Sequence, residues 1–160
     1  MKTIYLSLGS NLGDRERNLR SAVERLDSPT LHVLRVSPIY ETEPVEMLDQ
    51  RWFLNLVLEG ETTLFPMQLL SRTASIEREL GRVRTVPKGP RTLDIDILLY
   101  GRAVVHTLKL EIPHPRMSER RFVLAPLADL TPDLRHPVLH RSIRELLDAA
   151  PPQKLRLLHS

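Results

Sequence analysis

Two acidic residues, Asp94 and Asp96, lie in the segment 92–100 (TLDIDILLY), whose other members are mostly apolar. Alternate side chains of a β-strand share a face, so both carboxylates would project from the same side of a strand here. Two such carboxylates cannot both stay ionised in a buried place without compensation. A magnesium ion shared with substrate phosphates would supply the positive charge that compensates the two carboxylates. Ion pairs with nearby arginines and no metal would satisfy the same pattern.

A basic stretch comes directly before the two acids. It contains Arg82, Arg84, Lys88 and Arg91, with no acidic residue among them. Cations for phosphates would then adjoin carboxylates for a metal, a combination typical of phosphoryl transfer. A solvated surface loop is the alternative interpretation of the four basic residues. The sequence has neither a Walker A pattern nor G-x-G-x-x-G, which excludes a standard P-loop kinase.

Among the histidines, His114 is distinctive because it lies between Pro113 and Pro115 and close to Arg116. A histidine held in a rigid segment beside an arginine is suited to contact a phosphate. No H-E-x-x-H or G-x-S-x-G pattern is present, so the zinc peptidase and α/β-hydrolase classes have no support.

The composition limits the class of protein further. The chain has 160 residues, 41% of them hydrophobic and 27% charged, which predicts one globular domain over residues 1–160. Cysteine is absent, excluding disulfides and thiolate metal sites, and no export signal is visible, so we expect a cytoplasmic protein. Residues 1–80 carry 9 basic against 12 acidic residues, whereas residues 81–160 carry 14 against 8. The basic second half favours an anionic partner.

Hydrophobic periodicity predicts the elements that position these residues. Four strands are expected, over residues 3–8, 31–40, 52–61 and 93–100, and Pro38 suggests an edge or irregular end in the second. A helix should follow the first strand and end before residue 27, and a second should run from Pro66 to a C-capping Gly81. Short helices are expected near residues 119–128 and 142–149. The connection over residues 42–51 is long and polar, which makes it a candidate functional loop.

The order strand, helix, strand, strand, helix, strand predicts an α+β fold of the ferredoxin-like, split βαβ kind. Its antiparallel sheet would carry both long helices on one face and leave the other face for a site or a C-terminal covering. The same topology also suggests a second hypothesis, a nucleic-acid-binding domain with a basic surface. That hypothesis lacks the aromatic platform with which RNA-recognition sheets stack bases.

Several separated segments together resemble the 6-hydroxymethyl-7,8-dihydropterin pyrophosphokinase family of folate biosynthesis. The main one is GRVRTVPKGPRTLDIDILLYG at residues 81–101. The others are LSLGSNLGD at 6–14, YETEP at 40–44, FLN at 53–55, IPHPRM at 112–117 and RRF at 120–122. The resemblance extends over residues 3 to about 130. It implies transfer of pyrophosphate from the co-substrate ATP to the pterin hydroxymethyl group, two Mg²⁺ ions, a monomer, and no nucleic-acid or membrane partner.

The resemblance also implies roles for individual residues. Asp94 and Asp96 would bind the metal ions and, together with Arg82 and Arg91, form the catalytic set. The expected ATP contacts are Glu77, Arg84, Lys88, Lys109, His114 and Arg120. The expected pterin contacts are Thr42, Pro44, Val45, Phe53, Asn55 and Phe122, where Asn55 would hydrogen-bond to the polar edge and Phe122 would stack on the ring. The chain departs from the family at Lys88, where some members have Trp, and at Glu46, where Gly is expected.

Overall fold

The computed structural model describes residues 1–45, 47–81 and 90–159. The strands are β1 (Lys2–Ser10), β2 (Leu31–Val36), β3 (Tyr40–Thr42), β4 (Phe53–Thr62), β5 (Asp94–Tyr100), β6 (Val105–His106), β7 (Glu111–Ile112) and β8 (Leu155–Leu157). The helices are α1 (Arg15–Leu26), α2 (Pro66–Glu79), α3 (Arg121–Leu130) and α4 (Ile143–Ala149), with a 3₁₀ turn at Met117–Glu119. Of the helices in these ranges, none is both long and apolar enough to cross a membrane.

Within the described ranges the main sheet has six strands, all antiparallel to their neighbours, in the order β5-β1-β4-β3-β8, with β2 also paired to β4. A separate hairpin joins β6 and β7. The prediction of an α+β protein with an antiparallel sheet is confirmed. The sheet has more strands than the four predicted, because β3 is separate from β2 and because β8 adds a further strand beside β3.

The predicted single strand over residues 31–40 was wrong. The chain leaves the ladder after Val36, and Ser37 uses both its backbone N–H and its hydroxyl to bind Val57 of β4. Pro38 follows, and it has no N–H to continue the ladder. β3 then pairs with the other end of β4, so two short strands share the edge that the sequence assigned to one.

Helices cover both faces of the sheet. Alternate residues of β1, such as Ile4 and Leu6, are fully buried with the apolar faces of α1 and α2. On the other face, Tyr5 packs in a second apolar cluster with residues of α3 and α4, including Leu124 and Ile143. The C-terminal helices therefore cover one end of this second face. The other end of the same face carries Ser7, Gly9, Asn55, Asp94 and Asp96.

The helix boundaries follow local sequence signals. Asp14 caps α1 by accepting a hydrogen bond from the backbone N–H of Arg17 over 3.1 Å. Pro66 occupies the first turn of α2, as predicted. Gly81 follows α2 with a φ of +80°, the left-handed conformation that a C-capping glycine adopts. The last turns of α2 lie beside β5, where Glu77 bonds to the backbone of Ile95.

Candidate active site

The two acidic residues lie at the start of β5 and face the same side of the sheet. Asp94 and Asp96 are each partly buried, whereas Ile95 and Ile97 between and after them are buried in the opposite core. The alternation of β5 therefore separates carboxylates from core side chains, as the sequence predicted.

The strand register places the candidate pterin and metal residues in one row. Gly9 of β1 pairs with Asn55 of β4 on one side and with Asp94 of β5 on the other. Two strand spacings separate Asn55 from Asp94, about 10 Å between backbones. A Cβ on Gly9 would lie only 2.7 Å from Asn55 Oδ1. The row is open between its two polar ends because glycine occupies its centre.

A cavity of about 400 Å³ opens over this row. Its lining includes every predicted site residue that the structure describes except one: Thr42, Pro44, Val45, Phe53, Asn55, Glu77, Arg91, Asp94, Asp96, His114, Arg120 and Phe122. Lys109 lies apart from it, exposed in the connection between β6 and β7. Arg82, Arg84 and Lys88, and the departure at Glu46, lie outside the described residues.

The acidic wall of the cavity is fixed by two neighbouring charged side chains. Glu77 of α2, which is only 7% exposed, accepts a hydrogen bond from the backbone N–H of Ile95 over 2.8 Å. Arg91 Nη1 lies 3.3 Å from Asp94 Oδ2. The ion pair that the sequence left open as an alternative to metal binding is therefore present for Asp94. Both contacts hold the start of β5 in place.

Two arginines of the cavity lie over aromatic rings. The guanidinium carbon of Arg91 is 5.4 Å from the centroid of the Phe53 ring, and that of Arg120 is 5.6 Å from the centroid of Phe122. Such cation–π contacts orient a guanidinium over the face of the ring. Each pair combines a flat apolar surface with a positive charge.

A buried amide lies at the other end of the row. Asn55 is 4% exposed and donates from Nδ2 to Thr42 Oγ1 over 2.6 Å. Thr42 is itself almost fully buried at the end of β3. Because this bond orients the amide, Asn55 presents a fixed hydrogen-bonding group to the cavity.

His114 lines the cavity as a neutral imidazole. Burial, followed by the positive charges of Arg120 and Arg116, lowers the pKa of His114 from 6.5 to about 4. The backbone N–H of Arg116 donates to His114 Nδ1 over 3.2 Å, so the proton of the neutral ring is on Nε2. At neutral pH this residue can therefore donate a hydrogen bond from Nε2 without carrying charge.

Asn11 connects two segments of the cavity wall, and no role for it was predicted from the sequence. Its side-chain Oδ1 accepts from the backbone N–H of Arg91 over 2.8 Å, and its Nδ2 donates to Gln50 Oε1 over 2.9 Å. Asn11 is 2% exposed. It joins the segment before β5 to the connection between β3 and β4, and both line the cavity. An Asn in the turn between β1 and α1 was the available signal, because its side chain readily bonds to backbone groups.

Carboxylates beside arginines are typical of enzymes that transfer phosphoryl groups. Comparison with known proteins gives the family. A family model for 7,8-dihydro-6-hydroxymethylpterin-pyrophosphokinase (HPPK) matches residues 5–132. The chain belongs to this family, as its sequence motifs indicated. Membership favours the enzyme over the nucleic-acid-binding hypothesis.

Curated relatives agree with the family match. The chain is 54% identical over 127 residues to the 2-amino-4-hydroxy-6-hydroxymethyldihydropteridine pyrophosphokinase of Bacillus subtilis, covering 79% of this chain and 76% of that protein. It is 43% identical over 152 residues to the Pseudomonas aeruginosa protein of the same name, covering 94% and 93%. The folic acid synthesis protein fol1 of Schizosaccharomyces pombe is 47% identical over 160 residues, but the chain spans only 22% of its length.

Solved structures share the fold. A crystal structure of wild-type Plasmodium falciparum HPPK-DHPS with STZ-DHP aligns with a TM-score of 0.76 at 18% identity, over 92% of this chain and 43% of that one. The same protein with pteroate gives a TM-score of 0.75 at 17% identity, and the alignment covers 92% of this chain and 42% of that one. At this identity the likeness concerns the fold alone.

Proposed function

We propose that this chain transfers the pyrophosphoryl group of ATP to the hydroxymethyl group of 6-hydroxymethyl-7,8-dihydropterin and releases AMP. The observation that carries the proposal is the row of Asn55, Gly9 and Asp94 beneath one cavity. It provides a hydrogen-bonding end for a heterocycle and an acidic end for cation-bound phosphates, with an unobstructed centre between them. The names of the bacterial relatives support the same reaction.

The pterin would bind at the Asn55 end. The amide of Asn55 can pair with the polar edge of the ring, and the backbone of residues 42–45 can supply further contacts, since Thr42, Pro44 and Val45 line this part of the cavity. Phe122 and Phe53 would offer their rings to the pterin faces. The hydroxymethyl group would then point towards the acidic end.

The triphosphate would bind at the acidic end. Arg91 and Arg120 carry the positive charge that a triphosphate needs, and each is oriented by its aromatic neighbour. Neutral His114 would donate from Nε2 to a phosphate oxygen. We assign further ATP contacts to Glu77, Arg84 and Lys88, and a catalytic role to Arg82, from the family resemblance.

The residues present fit a magnesium site. Asp94 and Asp96 provide carboxylate oxygens on one strand face, which are ligands that Mg²⁺ prefers. Among the described residues no group of three or more metal-binding side chains converges, so ATP phosphates would complete the coordination. When bound, two Mg²⁺ ions would neutralise charge on the transferring phosphates. Asp94 and Asp96 are the residues that would hold them.

The reaction breaks one P–O bond and forms another. The hydroxymethyl oxygen attacks the β-phosphorus, the bond from that phosphorus to the α,β-bridging oxygen breaks, and AMP leaves with the bonding electron pair. The alcohol proton passes to solvent during a loose transition state, so no strong base is required. Arg91 and Arg120 would stabilise the developing negative charge, and the cavity walls would align the two substrates.

The assay that tests this proposal measures the nucleotide products from ATP and Mg²⁺ with and without 6-hydroxymethyl-7,8-dihydropterin. We expect AMP that depends on the pterin, and a pterin product heavier by one diphosphate group. Formation of ADP, or no nucleotide product from a folded protein, would contradict the proposal. If a folded protein gave no nucleotide product, RNA binding would be measured next, to test the nucleic-acid-binding hypothesis.

We further propose that the chain acts as a monomeric, single-domain cytoplasmic enzyme. The family model matches one continuous segment, residues 5–132, which supports a single domain. Sedimentation of the protein at assay concentration would test the oligomeric state.

A further inference from the structure

The C-terminal segment 150–159, here called the C-terminal strap, lies beyond residues 5–132 matched by the family model. Its strand β8 pairs with β3, which leads into the pterin side of the cavity. The backbone N–H of Glu43 donates to the carbonyl of Lys154 over 3.0 Å, and the N–H of Lys154 donates to Glu43 Oε1 over 2.7 Å. The strap is thus attached to a residue that lines the cavity.

The side chain of Gln153 connects two walls of that cavity. Its Oε1 accepts a hydrogen bond from the backbone N–H of Phe122 over 3.0 Å. Its Nε2 donates to the backbone carbonyl of Glu43 over 2.6 Å. Phe122 lies in the first turn of α3 and Glu43 follows β3, and both residues line the cavity. One half-buried amide therefore fixes the separation between two backbone segments that come from different parts of the chain.

We infer that Gln153 is a positioning residue that sets the width of the pterin side of the cavity. The inference rests on the proposed function, because it assigns the ring of Phe122 and the segment after Thr42 to the pterin. The affinity for a planar ring held between two walls depends on the spacing of the walls. The acceptor of the Gln153 amide holds the wall that contains Phe122, and its donor holds the wall that contains Glu43. The side chain of Gln153 bonds to α3 and to the segment after β3, whereas Asp94 and Asp96 of the acidic end lie on β5.

The strap has other attachments that do not involve the Gln153 side chain. Arg156 forms an ion pair with Glu41, and Arg121 Nη2 donates to the carbonyl of Ala150 over 2.8 Å. The ladder between β3 and β8 is made by backbone groups. A change at Gln153 should therefore leave the strap docked and remove only the connection between the two walls.

The experiment compares wild type with Gln153→Ala, Gln153→Glu and a control, Lys154→Ala. The glutamate variant keeps an acceptor for Phe122 but has no donor for the carbonyl of Glu43, and it adds charge near the Glu43 carboxylate. The exposed Lys154 contributes backbone contacts that alanine retains. For each protein the KM of the pterin, the KM of ATP, kcat and the melting temperature would be measured.

We expect both Gln153 variants to raise the KM of the pterin by about 5- to 30-fold, the range that one or two lost hydrogen bonds correspond to. The KM of ATP should change less than about twofold, and Lys154→Ala should match wild type. A role in stability alone would lower the melting temperature and leave the pterin KM unchanged, which would overturn the inference. An equal rise in both KM values would also overturn it. No turnover in wild type would instead refute the proposed function on which it rests.

Discussion

The carboxylate of Glu77 accepts a hydrogen bond from the backbone N–H of Ile95, the residue between the two acidic side chains of β5. Ile95 itself packs in the core on the opposite face. The bond uses a donor at the start of a strand, where Asp94 and Asp96 must be aimed into the cavity. A helix side chain thus determines how the candidate metal ligands are presented.

Replacing Glu77 tests that relationship. Glu77→Ala should lower kcat by about 10- to 100-fold and destabilise the fold by about 1–3 kcal/mol, because a buried N–H loses its acceptor. Glu77→Gln keeps an acceptor oxygen and should retain most activity. Exposed Glu79, which pairs with Arg25 on the surface, gives a matched control as Glu79→Ala. Wild-type kcat in Glu77→Ala would contradict this role.

The two aspartates should be indispensable for turnover. We expect Asp94→Asn and Asp96→Asn each to reduce kcat by at least about 100-fold, since each loses a charged oxygen ligand for Mg²⁺. The exposed Asp148 of α4 serves as the control, and Asp148→Asn should behave as wild type. Steady-state AMP release over a Mg²⁺ titration measures the effect. Near-normal rates in both variants would show that Asp94 and Asp96 are not the metal ligands.

Gly9 should be intolerant of a side chain for a local reason. The new Cβ of Gly9→Ala would approach Asn55 Oδ1 to 2.7 Å and force the amide to move. We expect the KM of the pterin to rise by about tenfold or more, as a fixed hydrogen-bonding group is displaced. Gly60→Ala, in the same sheet but with its Cβ 3.0 Å from the carbonyl of His32, should reduce stability without that rise. Equal pterin KM values in the two variants would count against the role of the row.

The buried neutral imidazole of His114 predicts a pH dependence of stability. Its pKa is lowered from 6.5 to about 4, so between these values the unfolded chain binds more protons than the folded one. The contribution of His114 is fully present above pH 6.5 and is lost as the pH falls towards 4. At about 1.4 kcal/mol per pKa unit, this contribution to the free energy of unfolding is up to about 3 kcal/mol.

Denaturant unfolding of wild type and His114→Gln at pH 7 and pH 4.5 measures this contribution. The difference in unfolding free energy between the two pH values should be smaller in the variant. An NMR titration should give His114 a pKa near 4. A value near 6.5 would show that the ring is solvated and not held as described.

The sequence predicted the long elements well because each has a strong apolar period and clear end signals. Pro66 and Gly81 marked the ends of α2, and the alternation around Asp94 and Asp96 marked β5. The break after Val36 was not predictable from periodicity, because it depends on the hydroxyl of Ser37 finding the N–H of Val57 on another strand. The three-residue β8 has too short a pattern to be recognised without its partner β3.

The candidate site was predictable where residue type carries the chemistry, as for Asp94, Arg91 and His114. It was not predictable where a residue acts through backbone groups of distant segments. Asn11 and Gln153 are uncharged, and their partners, such as the N–H groups of Arg91 and Phe122, carry no sequence signal. Only the tertiary structure shows that these amides connect the walls of the cavity.

The ion pair of Arg156 with Glu41 has an optical consequence. The guanidinium of Arg156 also lies 5.5 Å from the ring centroid of Trp52, which is the only tryptophan in the chain. Release of the C-terminal strap would remove a cation from the indole face and expose the ring to water. The intrinsic fluorescence of the protein should therefore report strap docking without an added label.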